Sequence, residues 1–230
     1  MISKLFNRKQ DIGAPKDPIS IFVNKKCENI NNSKTLDENI EDAVFCVVDT
    51  ETTGLDINSA RIINVAAVKV QNYKIIDFYN SFINPEEMIP KESIKWHNIT
   101  DEMVIDKPTV DEILPDFLNF CNDSIIVGHH IAFDIKMINK EMINSFGCEM
   151  HNYSLDTMLI YSNAIIKKDE HYSLDHLLEK YSVTCNGRHT ALGDALATAE
   201  VFSKMITQAS GEFRTVRELC KCQTARNDSF

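Results

Sequence analysis

Val44-Phe45-Cys46-Val47-Val48-Asp49-Thr50-Glu51-Thr52-Thr53-Gly54 is the stretch from which the rest of the chain is read. Its first five residues are too apolar for a half-exposed strand and too few for a helix, so they predict a buried strand. Side chains two apart on a strand share a face, so Asp49 and Glu51 project together. Two neighbouring carboxylates repel unless a cation lies between them, and hard divalent cations favour such an oxygen-rich pair. The plainer alternative is that Asp49 starts a turn and Glu51 is solvated. Cys46, inside the run, reads as a small apolar core residue.

Two further acidic segments lie downstream. In Val127-Gly128-His129-His130-Ile131-Ala132-Phe133-Asp134 a strand, a glycine turn and a helix start follow one another, and Asp134 falls in the first helical turn, where the macrodipole favours an anion. In Gly187-Arg188-His189-Thr190-Ala191-Leu192-Gly193-Asp194 the glycine keeps His189 in a loop while Asp194 enters the next helix. Five helical residues turn through about 500°, so His189 and Asp194 converge only if one of them is off the helix. Asp194 also borders the apolar stripe of Ala191, Ala195 and Thr198, an unsuitable place for a solvated acid.

Elements alternate between these landmarks. Ile62 to Val70 predicts a second strand and Lys74 to Ile83 a third, joined by a hairpin at Gln71-Asn72-Tyr73. Pro85 and Pro90 interrupt regular structure. Helical spacing runs over 111–120 despite Pro115, then over 131–146, 173–181 and 190–206, with short strands at 124–128 and 153–155 and Asp156 capping the helix from Thr157. A hairpin followed by alternating strands and helices predicts an α/β fold, a mixed sheet flanked by helices. The expected organisation is a mostly polar N-terminal extension over 1–42, partly ordered against the core where Ile19-Ser20-Ile21-Phe22-Val23 offers a short apolar patch, a core domain over 43–208 and a C-terminal tail over 209–230.

Composition narrows the partners. The chain of 230 residues carries a net charge of −10, and residues 43–208 hold 13 basic against 24 acidic side chains, a net of −11. That excludes a module gripping nucleic acid by bulk positive charge, but not an enzyme meeting phosphates through bound cations. No apolar run approaches the ~18 residues of a membrane span, and the first residues lack a secretory pattern, so a cytoplasmic protein is expected. Seven irregularly spaced cysteines do not form a disulfide framework. Cys220 and Cys222 lack the neighbours of a zinc site.

The three acidic segments, in this order, resemble the DEDDh family of 3′→5′ exonucleases, which includes proofreading epsilon subunits and RNase T. Asp49 to Gly54 looks like the first motif, Gly128 to Asp134 the second and His189 to Asp194 the third. The resemblance implies an RNase H-like fold and a metal-dependent exonuclease releasing nucleoside 5′-monophosphates from 3′ ends. It implies two Mg²⁺ or Mn²⁺ ions on Asp49, Glu51, Asp134 and Asp194, with His189 taking a proton from the attacking water. Thr52, Thr53 and Gly54 would then line the terminal nucleotide, and Leu55 and Phe133 would pack on its base or sugar. His130 stands where the family usually has Asn, and Asn98 in Asn98-Ile99-Thr100 where Gly is common. Asn tolerates a left-handed backbone next best after Gly. The expected partner is single-stranded or 3′-ended nucleic acid, DNA ahead of RNA. An RNA 3′-end trimmer and a non-catalytic binding module of the same fold are the alternatives. For the tail, the simpler expectation is a disordered end, and the functional one a dock for a polymerase or clamp.

Overall fold

The computed structural model describes residues 17–30, 34–168 and 170–223. The parts of the N-terminal extension at 1–16 and 31–33, and of the tail at 224–230, lie outside them.

Strand β1, Phe45–Thr52, runs on past the apolar stretch and includes Asp49 and Glu51. It is the middle strand of a five-stranded sheet ordered β3-β2-β1-β4-β5. Strands β2 (Ile62–Gln71) and β3 (Lys74–Phe82) add antiparallel on one side. Strands β4 (Ile125–Gly128) and β5 (Ser154–Asp156) add parallel on the other. The β2–β3 hairpin closes through Asn72 and Tyr73, both at positive φ (50° and 60°), as a two-residue turn matched to strand twist requires. The β1–β2 register shifts between Glu51 and Thr52, an irregularity of the kind that re-aims side chains beside active sites.

Each face of the sheet buries its own helices. Phe45 and Val47 enter one cluster with the buried residues of helices α7 (Leu174–Tyr181), α8 (Ala191–Gln208) and α9 (Val216–Cys222). Cys46 and Val48 enter the other, with helices α1 (Pro18–Asn29), α4 (Val110–Cys121) and α5 (Ala132–Phe146). The two-residue period of β1 thus sends alternate residues to different helices. Short helices α2 (Lys91–His97) and α3 (Asp101–Val104) follow β3, and α6 (Thr157–Ile160), capped by Asp156, follows β5.

The flanks set apart in sequence each contribute to this body. Helix α1 is capped by Asp17 and buries Val23 and Cys27. Helix α9 opens on a Thr215–Glu218 capping box and buries Val216 and Leu219. Thr215 also pairs with Asn39, and Arg217 meets Asp37 at 2.7 Å. The expectation of a disordered end therefore fails for 209–223: two apolar side chains and a capping box suffice to seat a helix. Among the described residues no helix is long and apolar enough to cross a membrane.

Candidate active site

The period of β1 decides which acid meets which helix. Asp49 and Glu51, on the α8 face, meet Asp194, and oxygens of the three carboxylates lie within 4.8 Å of one another. Thr50, on the opposite face, meets α5: its backbone N–H (2.9 Å) and its hydroxyl (2.7 Å) both donate to Asp134 Oδ1. Asp134 is therefore beside the trio, tied to the strand between its two acids.

Burial and mutual repulsion raise these carboxyls. Asp49 lies well above the usual range, through burial first and then the charges of Asp134, Glu51 and Asp194. Glu51 is pushed up to about 7 by burial, then by Asp194 and Asp134. Asp134 also reaches about 7 through burial, against the pull of the two Thr50 bonds. Asp194 is raised by burial and held back by the Arg188 guanidinium. Partly buried oxygen donors that resist ionising together suit a hard divalent cation, whose charge offsets both desolvation and repulsion. The donor set fits a metal of that kind.

Asp194 stands in the first turn of α8, whose cap is Thr190. The preceding turn is pressed close: a Cβ on Gly193 would stand 2.0 Å from the Gly187 carbonyl, and Gly187 has φ of +87°. The turn leaves His189 at φ 63°, exposed, with its backbone N–H on Asp194 Oδ2 at 3.2 Å. His189 lies near the Asp194 and Asp175 carboxyls.

Next to the cluster opens a cavity of about 450 Å³, lined by Glu51, Thr52, Gly54, Leu55, Glu92, Ser93, Trp96 and His97. Leu55 and Trp96 are 87 % and 72 % exposed, large apolar surfaces at its mouth. Ser93 Oγ donates to the Thr53 carbonyl at 2.7 Å, pinning α2 against the end of β1. Buried His97 accepts the Ile99 N–H at Nδ1 (3.0 Å), which leaves its proton on Nε2, where it finds no hydrogen-bond partner among the described residues.

Of the expected nucleotide-binding residues, Thr52, Gly54 and Leu55 line this cavity. Thr53 turns away, donating to Glu87 at 3.0 Å and accepting from the Arg61 N–H at 2.9 Å. Phe133 packs on the core beneath α5. His130, at φ 60°, stacks on His171 with ring centres 4.7 Å apart, and its N–H meets Asp156 Oδ1 at 3.3 Å. Sequence reasoning missed Ser93, Trp96, His97 and His171, because short α2 and the loop before α7 carry no periodic signal.

A mixed sheet whose central strand delivers carboxylates to acids on two flanking helices defines a nuclease of RNase H-like fold. The exonuclease family that includes RNase T matches residues 46–202. The chain belongs to that family and is a 3′→5′ exonuclease, a phosphodiester hydrolase. It is 36 % identical over 171 residues to the DNA polymerase III subunit epsilon of Aquifex aeolicus, covering 74 % of this chain and 84 % of that one. It is 34 % identical over 188 residues to the PolC-type DNA polymerase III of Thermotoga petrophila, covering 82 % of this chain but only 14 % of that much longer protein. Among solved structures, exonuclease X in complex with 5′ overhanging duplex DNA shares the fold at a TM-score of 0.61 and 23 % identity, covering 78 % of this chain and 99 % of that one. Escherichia coli exonuclease I in complex with a dT13 oligonucleotide does so at 0.63 and 16 %, covering 74 % and 42 %.

Proposed function

We propose that this protein removes nucleotides one at a time from DNA 3′ ends, with Asp49, Glu51, Asp134 and Asp194 holding two Mg²⁺ or Mn²⁺ ions. The observation that carries this reading is the convergence of Asp49, Glu51 and Asp194 within 4.8 Å, with Asp134 anchored beside them. DNA is favoured over RNA by the similarity to a DNA polymerase subunit along most of that subunit's length. In sites of this type the metals stabilise charge on the attacking and leaving oxygens.

The chain's own residues supply the rest. Burial and mutual repulsion raise these carboxyls in the metal-free chain, and a bound cation would favour their joint ionisation. His189, exposed at the rim and tethered through its backbone to Asp194, accepts the proton of the attacking water. The cavity beyond Glu51 takes the terminal nucleotide, with Leu55 and Trp96 offering apolar faces to bases. The product is a nucleoside 5′-monophosphate. Seven free thiols suit a reducing compartment such as the cytoplasm. Arg214, Arg217 and Lys221, in the tail from 209, are a candidate dock for a polymerase or clamp.

The test is a comparison of matched DNA and RNA oligonucleotides, single-stranded and 3′-mismatched, with Mg²⁺ or Mn²⁺. Mononucleotide release from DNA is expected, abolished in Asp49→Ala and reduced about 10²–10⁴-fold in His189→Ala. Full activity in Asp49→Ala would remove its assigned role. Intact DNA beside degraded RNA would move the assignment to RNA trimming.

A further inference from the structure

We propose that Arg188 is a positioning residue of the metal site: its guanidinium clamps one oxygen of Asp194, is itself held by Asp175, and so aims the other oxygen at the ion. The inference rests on the metal-dependent reading given above.

The two oxygens of Asp194 are treated differently. Oδ2 takes Arg188 Nη1 at 2.5 Å and the His189 N–H at 3.2 Å, both from the turn before α8. Among the described residues, Oδ1 is met only by the weak Cys185 thiol, at 3.6 Å. One oxygen is committed to the protein and the other is left for a cation. Metal-ligating carboxylates are commonly fixed in this way, by a hydrogen bond to the oxygen that does not carry the ion.

Arg188 is fixed in turn. Its Nε donates to Asp175 Oδ1 at 2.8 Å, in the first turn of α7. Behind it, Thr190 Oγ1 bonds the Gly187 carbonyl at 2.7 Å, and Gly193 lets that carbonyl rest against α8. The side chain of Arg188 is 28 % exposed, between the buried Asp194 and the exposed Asp175. Only a forked planar cation reaches both acids at once; an ammonium on a flexible stem is a point charge.

A guanidinium close to a metal site also repels the ion, so the sign of the effect has to be decided. Asp175 supplies a compensating negative charge at 2.8 Å, and the pair together presents little net charge to the cluster. The loss of aim therefore outweighs the relief of repulsion. Removing Asp175 both loosens the clamp and exposes the positive charge, so it too weakens metal binding.

The experiment is a calorimetric titration of Mn²⁺ into the full chain, stripped of metal, for the native sequence and for Arg188→Gln, Arg188→Lys and Asp175→Asn. The dissociation constant should rise about 10–100-fold in Arg188→Gln. Arg188→Lys should not restore it, and Asp175→Asn, a change at an exposed side chain, should raise it by less. At saturating Mn²⁺ the KM for DNA should be unchanged in all three variants. Unchanged or tighter Mn²⁺ binding in Arg188→Gln overturns the proposal, as does full rescue by lysine, which would make Arg188 a mere counter-charge. If the native chain binds no Mn²⁺, the metal-dependent reading itself fails. If it binds and the variants match it, only the clamp fails.

Discussion

Thr50 shows how much one residue contributes by facing the other way. Its neighbours Asp49 and Glu51 point to α8, while its own N–H and hydroxyl hold Asp134 of α5. The strand thus gathers acids from both layers, at the cost of holding partly buried carboxyls in the metal-free protein. That cost has a sign in pH. Glu51 and Asp134 titrate near 7 in the fold, above their ordinary values of 4.5 and 3.8. Between those limits the native state binds more protons than the unfolded state, so stability falls as pH rises. The metal-stripped protein should melt lower at pH 8 than at pH 5.5, and Mn²⁺ should restore the loss. Glu51→Gln, which cannot ionise, should raise the pH 8 melting temperature of the stripped protein by about 2–4 °C for each kcal/mol relieved. An equal or lower melting temperature in that variant would contradict repulsion as the source.

At the scale of elements, what was legible followed from local chemistry. The apolar run of β1, the β-branched β2, the cap at Asp156 and the hairpin at Asn72-Tyr73 all form where the pattern places them. Helix α1 was legible only as the apolar patch Ile19–Val23 of an extension that packs on the core, and α9 not at all: each lies in a mostly polar flank and is anchored by two buried side chains, a tertiary effect invisible to periodicity. The site divides in the same way. The convergence of the acids could be read because their types and spacing point to one shared site, and the turn that carries His189 was read with them. Arg188 and Trp96 could not, since their importance lies in which element folds beside them. Asn98 was legible for a conformational reason, and it closes α2 in the left-handed conformation at φ 57° and ψ 17°. The loop it turns brings Ile99 to His97 and steadies the wall of the cavity. Asn98→Gly should keep stability within a few tenths of a kcal/mol, whereas Asn98→Val should cost about 1–2 kcal/mol by urea unfolding. Equal costs for the two would mean that the side chain, not the backbone, matters there.

For the whole molecule, the central question is how a chain of net charge −10 holds a polyanion. The described site offers an acid cluster suited to a divalent cation on one side and, joined to it through Glu51, a cavity fronted by Leu55 and Trp96 on the other. Affinity on this plan comes from stacking of bases and from phosphate contacts confined to the reacting end, not from a basic groove. Single-stranded nucleic acid loses affinity with salt at a slope of about −0.7 per neutralised phosphate, so one or two phosphates give a slope between about −0.7 and −1.4. A fourfold rise in salt should then raise the dissociation constant of a single-stranded oligonucleotide only about 3–7-fold. Stacking on an aromatic ring contributes about 1–3 kcal/mol per base, so Trp96→Ala should weaken binding about 5- to 150-fold. Because stacking releases no counterions, the same variant should leave the salt slope where it was. Fluorescence anisotropy of a labelled oligonucleotide, in a chain kept from cutting by Asp49→Ala, measures both quantities together. A slope steeper than about −3 would require at least four phosphate contacts, and hence a basic track along the chain. A flatter slope in Trp96→Ala would place Trp96 beside the backbone rather than under a base.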